Sequence, residues 1–203
     1  MKSTETIVDI IRHGEPVGGR MYRGNQADHP LSKKGWQQMH TAISRQTLAA
    51  EADEFAWDLI ISSPLLRCYD FAMALSQKLS IPLVSNVDLR EISFGEWEGK
   101  TQEQIKATDP VLFREFQRDP INNRPMGAES LEAFNTRVLD ALFAILNTHQ
   151  GEKILLVSHA GILRTILVHV LSSPLKSRQS IRFPYAGMLR LIAADKQLRL
   201  ELL

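Results

Sequence analysis

Arg12-His13-Gly14 follows directly on the apolar run Thr6 to Ile11. A neutral imidazole is a competent nucleophile toward phosphorus. An adjacent guanidinium can hold phosphate oxygens with its fork of N–H donors. The glycine allows a turn that fixes the ring. Two later stretches repeat the plan. Ser62 to Arg67 (SSPLLR) sets an arginine in the first turn of an expected helix, whose N-terminus favours anions. Val157 to Gly161 (VSHAG) ends a second apolar run on His159, a donor able to stabilise charge on an attacked phosphorus. Taken singly, each has a plainer explanation: a chance surface tripeptide, a solvated arginine on a capped helix, a histidine capping a helix. A fourth stretch, Leu89 to Gly95, carries Glu91. A phosphate ester leaves poorly unless its oxygen is protonated, and a partly buried carboxyl group can supply that proton. Glu96 and Glu98 are close by, and spacing alone leaves all three open.

The elements that must hold these residues alternate in type. Thr6 to Ile11 reads as a buried strand, followed by a loop containing Gly14, Pro16, Gly18, Gly19 and Gly24. Ser32 is an N-cap for a helix reaching about Glu51, and Trp57 to Ile61 is a second strand. Ser63-Pro64 supplies a cap and a first-turn proline for a helix to about Leu79, before a short strand at Ile81 to Val84. Leu89 to Thr101 reads as an ordered loop, Gln102 to Arg118 as helical pieces, and Asp119 to Gly127 as another loop. A long helix spans roughly Ser130 to His149, a strand Lys153 to Val157 and a helix Gly161 to Leu171. Two last strands fall near Met188 to Ala193 and Leu198 to Leu202. This alternation predicts an α/β fold with a mainly parallel sheet. Ligands bind such sheets beyond the carboxyl ends of the strands, where His13, His159 and the turn leading to Arg67 all lie.

At 203 residues the chain fits one domain, 1–203, with no internal repeat or linker. A net charge of +1 gives no global attraction for nucleic acid or an acidic membrane, so anion binding must be local. The single cysteine, Cys68, excludes an internal disulfide and fits a reducing compartment. The start, MKSTET, lacks the apolar segment of a leader, and no apolar run reaches membrane-spanning length. A cytoplasmic enzyme is the expectation. GEWEGKT at Gly95 to Thr101 is not a nucleotide loop, having one residue too few between its glycines. Cys68 lacks the arginine six residues on that a cysteine phosphatase needs; Ala74 stands there. Histidine spacing argues against a metal centre, and no cofactor is expected.

RHGE, YRG, PLSKKG, SSPLLRCYDFA, LREISFGEWEG, GAES and VSHAG, in this order from Ile10 to about Arg164, resemble the histidine phosphatase superfamily, also called phosphoglycerate mutase-like. The resemblance implies a three-layer α/β/α sandwich around a mostly parallel sheet. It implies His13 as the nucleophile that forms a phosphohistidine, with Arg12, Arg67 and His159 around the phosphoryl group. It selects Glu91 as proton donor to the leaving oxygen and then as base for water. The chain departs from the pattern at Gly19, where many members have a phosphate-contacting asparagine. Arg20, Arg23 or the loop backbone are the replacements to examine, with Tyr22 and Gly24 beside them. The length is similar to the phosphatase branch rather than to the longer mutases. Met21 to Gly24, Pro30-Leu31 and Phe94 to Gly99 are most similar to the α-ribazole-5'-phosphate phosphatases of cobalamin synthesis, and related broad-specificity phosphatases share much of that pattern. The implied partner is a small phosphorylated metabolite, and self-association into a homo-oligomer is left open. Tyr22, Phe94 and Trp97 are either an apolar wall for a substrate ring or core packing. The rival classes are a phosphoglycerate mutase, which transfers phosphate between positions faster than it releases it, and a binding or regulatory module without catalysis.

Overall fold

The computed structural model describes residues 5–49, 57–195 and 197–203. One six-stranded sheet has the order β3-β2-β4-β1-β5-β6. Here β1 is Thr6–Arg12, β2 Leu59–Ser62, β3 Leu83–Ser85, β4 Lys153–Ser158, β5 Met188–Ala194 and β6 Gln197–Leu202. The strands from β3 to β1 pair in parallel, with Ile7 against Lys153 and Arg12 against Ser158. β5 and β6 extend the sheet as an antiparallel hairpin.

Period-two alternation in the strands sets the layers. Val8 and Ile10, Leu59 and Ile61, Ile154 and Leu156, and Leu189 and Leu191 face one side. They pack against α5 (Leu131–Thr148) and α6 (Ala160–Val170) through Phe134, Val138, Leu142, Ile162 and Leu163. Ile11, Ile60, Leu155, Val157 and Met188 face the other side. They meet α1 (Lys33–Ala49) and α2 (Leu66–Leu79) through Met39, Ile43, Phe71 and Leu75. The expected α/β/α sandwich follows. Its one buried acid in the sheet, Asp9, is satisfied: Arg190 Nε and Nη2 donate to it at 2.7 and 3.0 Å, and Trp57 Nε1 at 2.9 Å. Between β3 and α5 the chain forms a small cap from α3 (Gln102–Thr108) and α4 (Pro110–Arg118), built on Trp97, Ile105 and Phe113. No helix among the described residues is long and apolar enough to cross a membrane.

Ser32 caps α1 as expected, its Oγ accepting from Gly35 N at 3.0 Å. The expected end of that helix near Glu51 lies outside the described residues, as do Met1 to Thr4. α2 does not open at Ser63-Pro64 but at Leu66, with extended Leu65 in the cap position. The Ser63 hydroxyl is 2.7 Å from His159 Nε2 and accepts from Leu65 N at 3.4 Å, in a turn that precedes the helix. The first helical N–H, on Leu66, is capped instead from a distant loop by Asp28 Oδ1 at 2.8 Å. β2 and β3 also begin two residues later than read, at Leu59 and Leu83. Trp57 is spent on its bond to Asp9 rather than on the ladder.

Candidate active site

Three parallel strands, adjacent in the order β2-β4-β1, end on one crevice. α2 leaves toward one face of the sheet and α6 toward the other, so their N-termini part at this point. Backbone bonds lock the three turns together: His13 N donates to Ser158 O at 2.9 Å, and Ser63 N to Val157 O at 3.0 Å. Gly14 is required for the first turn. A β-carbon there would stand 2.2 Å from Gly35 O, so only a glycine lets the turn close against α1.

His13 is 6% exposed, and its Nδ1 lies 2.7 Å from the Gly14 carbonyl oxygen. A carbonyl can only accept, so Nδ1 carries the proton and Nε2 keeps its lone pair. The His159 ring meets the His13 ring edge-on, with centroids 5.3 Å apart. His159 is fully buried, its Nε2 on Ser63 Oγ. Burial first, and then the positive charges of Arg67 and Arg12, push the His13 imidazole well below its ordinary value of 6.5. Burial and Arg67 do the same to His159.

These shifts make a pH prediction. The unfolded chain takes up protons near the ordinary imidazole value, while the folded chain resists them. Above about pH 6.5 neither state is protonated and the two histidines cost nothing; below it, stability is lost until the lower folded values are reached. The thermal midpoint should therefore fall between about pH 7 and pH 5, and His13→Asn should fall less steeply over that window. Parallel curves for the two proteins would contradict the assignment.

Three arginines surround the imidazole. Arg67 is 1% exposed and donates through Nη2 to Gly24 O at 2.7 Å. Its Nη1 stands 3.9 Å from the carboxylate of Asp28. Arg12 donates to Phe183 O at 2.5 Å, and buried Arg23 donates to Val17 O and Gly19 O at 2.7 and 2.6 Å. Each of the three keeps a buried Nε–H with no acceptor among the described residues. A concentration of donors and positive charge at the end of a sheet, around an imidazole held neutral, suits a doubly charged tetrahedral anion.

Glu91 is the carboxylate of the three that reaches this group. Its Oε1 accepts from Ile92 N at 3.0 Å and its Oε2 from Gly161 N at 3.1 Å, at the start of α6. Gly161 has no side chain for good reason, since a β-carbon would fall 2.0 Å from Glu91 Oε1. Glu98 is committed elsewhere: it accepts from Asn25, Gln26, Ala27 and Phe94 amides and from Ser93 Oγ, clamping the 24–27 loop to the 93–98 loop. Glu96 is exposed. Arg20 is also exposed, and it acts on Tyr22 and Glu103 rather than on the histidines. Gly24 contributes only its carbonyl, to Arg67. Tyr22 packs on Phe94, Trp97 and Phe116 at 4.9, 5.6 and 6.3 Å, and Trp97 is 4% exposed. Trp97 is therefore core of the cap rather than a wall for a ring, because the cap is too small to bury α3 and α4 without it.

Arg137, Arg178 and Tyr185 were not singled out in the sequence. Arg137 grips Glu129 at 2.7 and 2.8 Å and donates to the carbonyls of Asp88, Arg90 and Glu91, so it holds the loop that presents Glu91. Arg178 is buried over the Phe134 ring and donates to Gly161 O at 3.0 Å. Tyr185 lies under the Arg12 guanidinium. No motif marks these three; the density of arginine and aromatic residues in Arg178 to Tyr185 is a signal for two of them, and Arg137 has none.

A family model described as the histidine phosphatase superfamily (branch 1) matches residues 8–203. Phosphoserine phosphatase 1 of Hydrogenobacter thermophilus is 29% identical over 161 residues, 77% of this chain and 72% of its own. The mycobacterial bifunctional protein Rv2228c is 31% identical over 82% of this chain, which spans only 44% of that relative's length. Among solved structures, Bacillus stearothermophilus YhfR superposes with a TM-score of 0.86 and 28% identity, covering 97% of this chain and 96% of that one. An α-ribazole phosphatase from Shigella flexneri gives a TM-score of 0.82 and 26% identity, covering 97% and 95%.

Proposed function

The chain belongs to the histidine phosphatase superfamily, and on that premise we propose that it hydrolyses the phosphomonoester of a small metabolite through a phosphohistidine at His13. One observation carries the reading. Nδ1 of His13 is turned onto the Gly14 carbonyl, which leaves Nε2 as a lone pair among Arg12, Arg23 and Arg67. In the first step Nε2 attacks phosphorus, the ester P–O bond breaks, and the leaving oxygen takes a proton from Glu91. In the second, Glu91 takes a proton from water, whose oxygen attacks phosphorus. The P–N bond breaks and inorganic phosphate leaves. The arginines and His159 meet the charge on the equatorial oxygens in both steps. Tyr22, Gly24 and Arg20 have no part in this scheme, and Arg23 joins it in the place left open by Gly19.

For the substrate, α-ribazole 5'-phosphate is our first candidate, supported by the 94–99 and 21–24 motifs and by the likeness to the Shigella protein. Tyr22, Phe94 and Trp97 add no support for a ring-bearing substrate, since Tyr22 packs on both of the others. Phosphoserine is the second candidate, supported by the Hydrogenobacter relative. The test is a release assay on α-ribazole phosphate, phosphoserine, 3-phosphoglycerate and p-nitrophenyl phosphate. Phosphate release from at least one is expected, with α-ribazole phosphate giving the highest kcat/KM. Glycerate-position transfer faster than release would make it a mutase, and no turnover of any ester would make it a binding module.

A further inference from the structure

Tyr185 lies in the segment joining α6 to β5, next to Ala186, whose N–H donates to His13 O at 3.4 Å. Its ring is 6.0 Å from the His13 ring, tilted by 44°. Arg12 Cζ sits 4.2 Å from its centroid, close enough for the ring face to hold the guanidinium plane. The ring therefore stands against one of the cations that flank the nucleophile and beside the nucleophile itself. The segment that carries it is pinned on three sides: Arg12 donates to Phe183 O, Arg164 Nε to Ile181 O at 2.8 Å, and Arg178 to Gly161 O. Side chains that must meet a ligand are set on such supports rather than on free loop tips. Tyr185 is also half-buried, and it lines a groove together with Lys34 and Gln38 of α1. Gly19 offers no side chain, and nothing stands within 4 Å of where its β-carbon would be.

We propose that Tyr185 completes the phosphoryl site, its ring clamping Arg12 and its hydroxyl donating a hydrogen bond to an equatorial oxygen of the phosphoryl group. The inference rests on the phosphoryl-transfer reading above. It is tested by titrating inorganic phosphate calorimetrically into the wild-type protein, Tyr185→Phe and Tyr185→Leu. The phenylalanine keeps the ring and loses only the donor. Its phosphate Kd should rise about tenfold, equivalent to about 1.4 kcal/mol. The leucine, losing clamp and donor together, should weaken binding about a hundredfold. A phenylalanine variant that binds phosphate as the wild type does overturns the proposal, and a deficit confined to leucine reduces Tyr185 to a support for Arg12. Binding is read without turnover, so a chain inactive on every ester but sensitive to Tyr185→Phe would sink the phosphatase reading and leave this subsite standing.

Discussion

His13→Ala should lose a factor on the order of 10^4 or more in kcat on p-nitrophenyl phosphate. No other group among those described can take its place. His159 is the nearest imidazole, but its Nε2 is engaged with Ser63 Oγ and its ring is fully buried. Cys68 lies against His159, yet burial pushes its thiol out of the range in which a thiolate forms. Rapid quenching should trap an acid-labile, base-stable phosphate on the wild-type protein and none on the variant. The fold should survive. The backbone bonds of residue 13 to Ser158 and Ala186 do not involve the ring, and removing a buried neutral histidine relieves the acid-side loss of stability. Inorganic phosphate should still bind, because Arg12, Arg23 and Arg67 remain. Turnover within about tenfold of wild type would remove His13 from the role of nucleophile.

The parts of this site legible in the sequence are those that coincide with strand ends. Arg12, His13, His159 and the turn leading to Arg67 are fixed by local rules, an apolar run followed by a polar turn, and neighbouring strands then bring them together without further information. Strand pairing was less legible. That β1 lies beside β4 and β5 rather than β2 depends on nonlocal contacts, which no window of the sequence contains. The start of α2 was misplaced because Ser63 has two partners to serve. Its hydroxyl goes to a histidine 96 residues away, and a carboxylate 38 residues upstream of Leu66 caps the helix instead. The choice among Glu91, Glu96 and Glu98 could not come from spacing either. It depends on Glu98 being enclosed by the amides of residues 25–27 and on Arg137 gripping the 88–91 carbonyls. Tyr22 and Trp97 illustrate the converse case: an aromatic cluster reads the same whether it lines a pocket or fills the cap.

Glu91→Gln should separate the chemistry of the leaving group from the geometry of the site. Both carboxylate oxygens accept from backbone N–H groups, Ile92 and Gly161. An amide can offer an oxygen to only one of them, and its NH2 must face the other donor, so the glutamine should turn somewhat in place. That displacement would slow every substrate alike. Loss of the proton donor would not. An alkyl phosphate expels an alkoxide unless protonated, whereas p-nitrophenolate is stable enough to leave unaided. Loss on the order of 10^2 to 10^4 is therefore expected for alkyl esters, against less than about tenfold for p-nitrophenyl phosphate. Gly161→Ala provides the geometric control, because its β-carbon would displace the same side chain and leave its carboxyl group intact. It should slow both ester classes by similar factors. If Glu91→Gln behaved as Gly161→Ala does, with equal losses on aryl and alkyl phosphates, Glu91 would be a group that shapes the crevice and the proton would have to come from elsewhere.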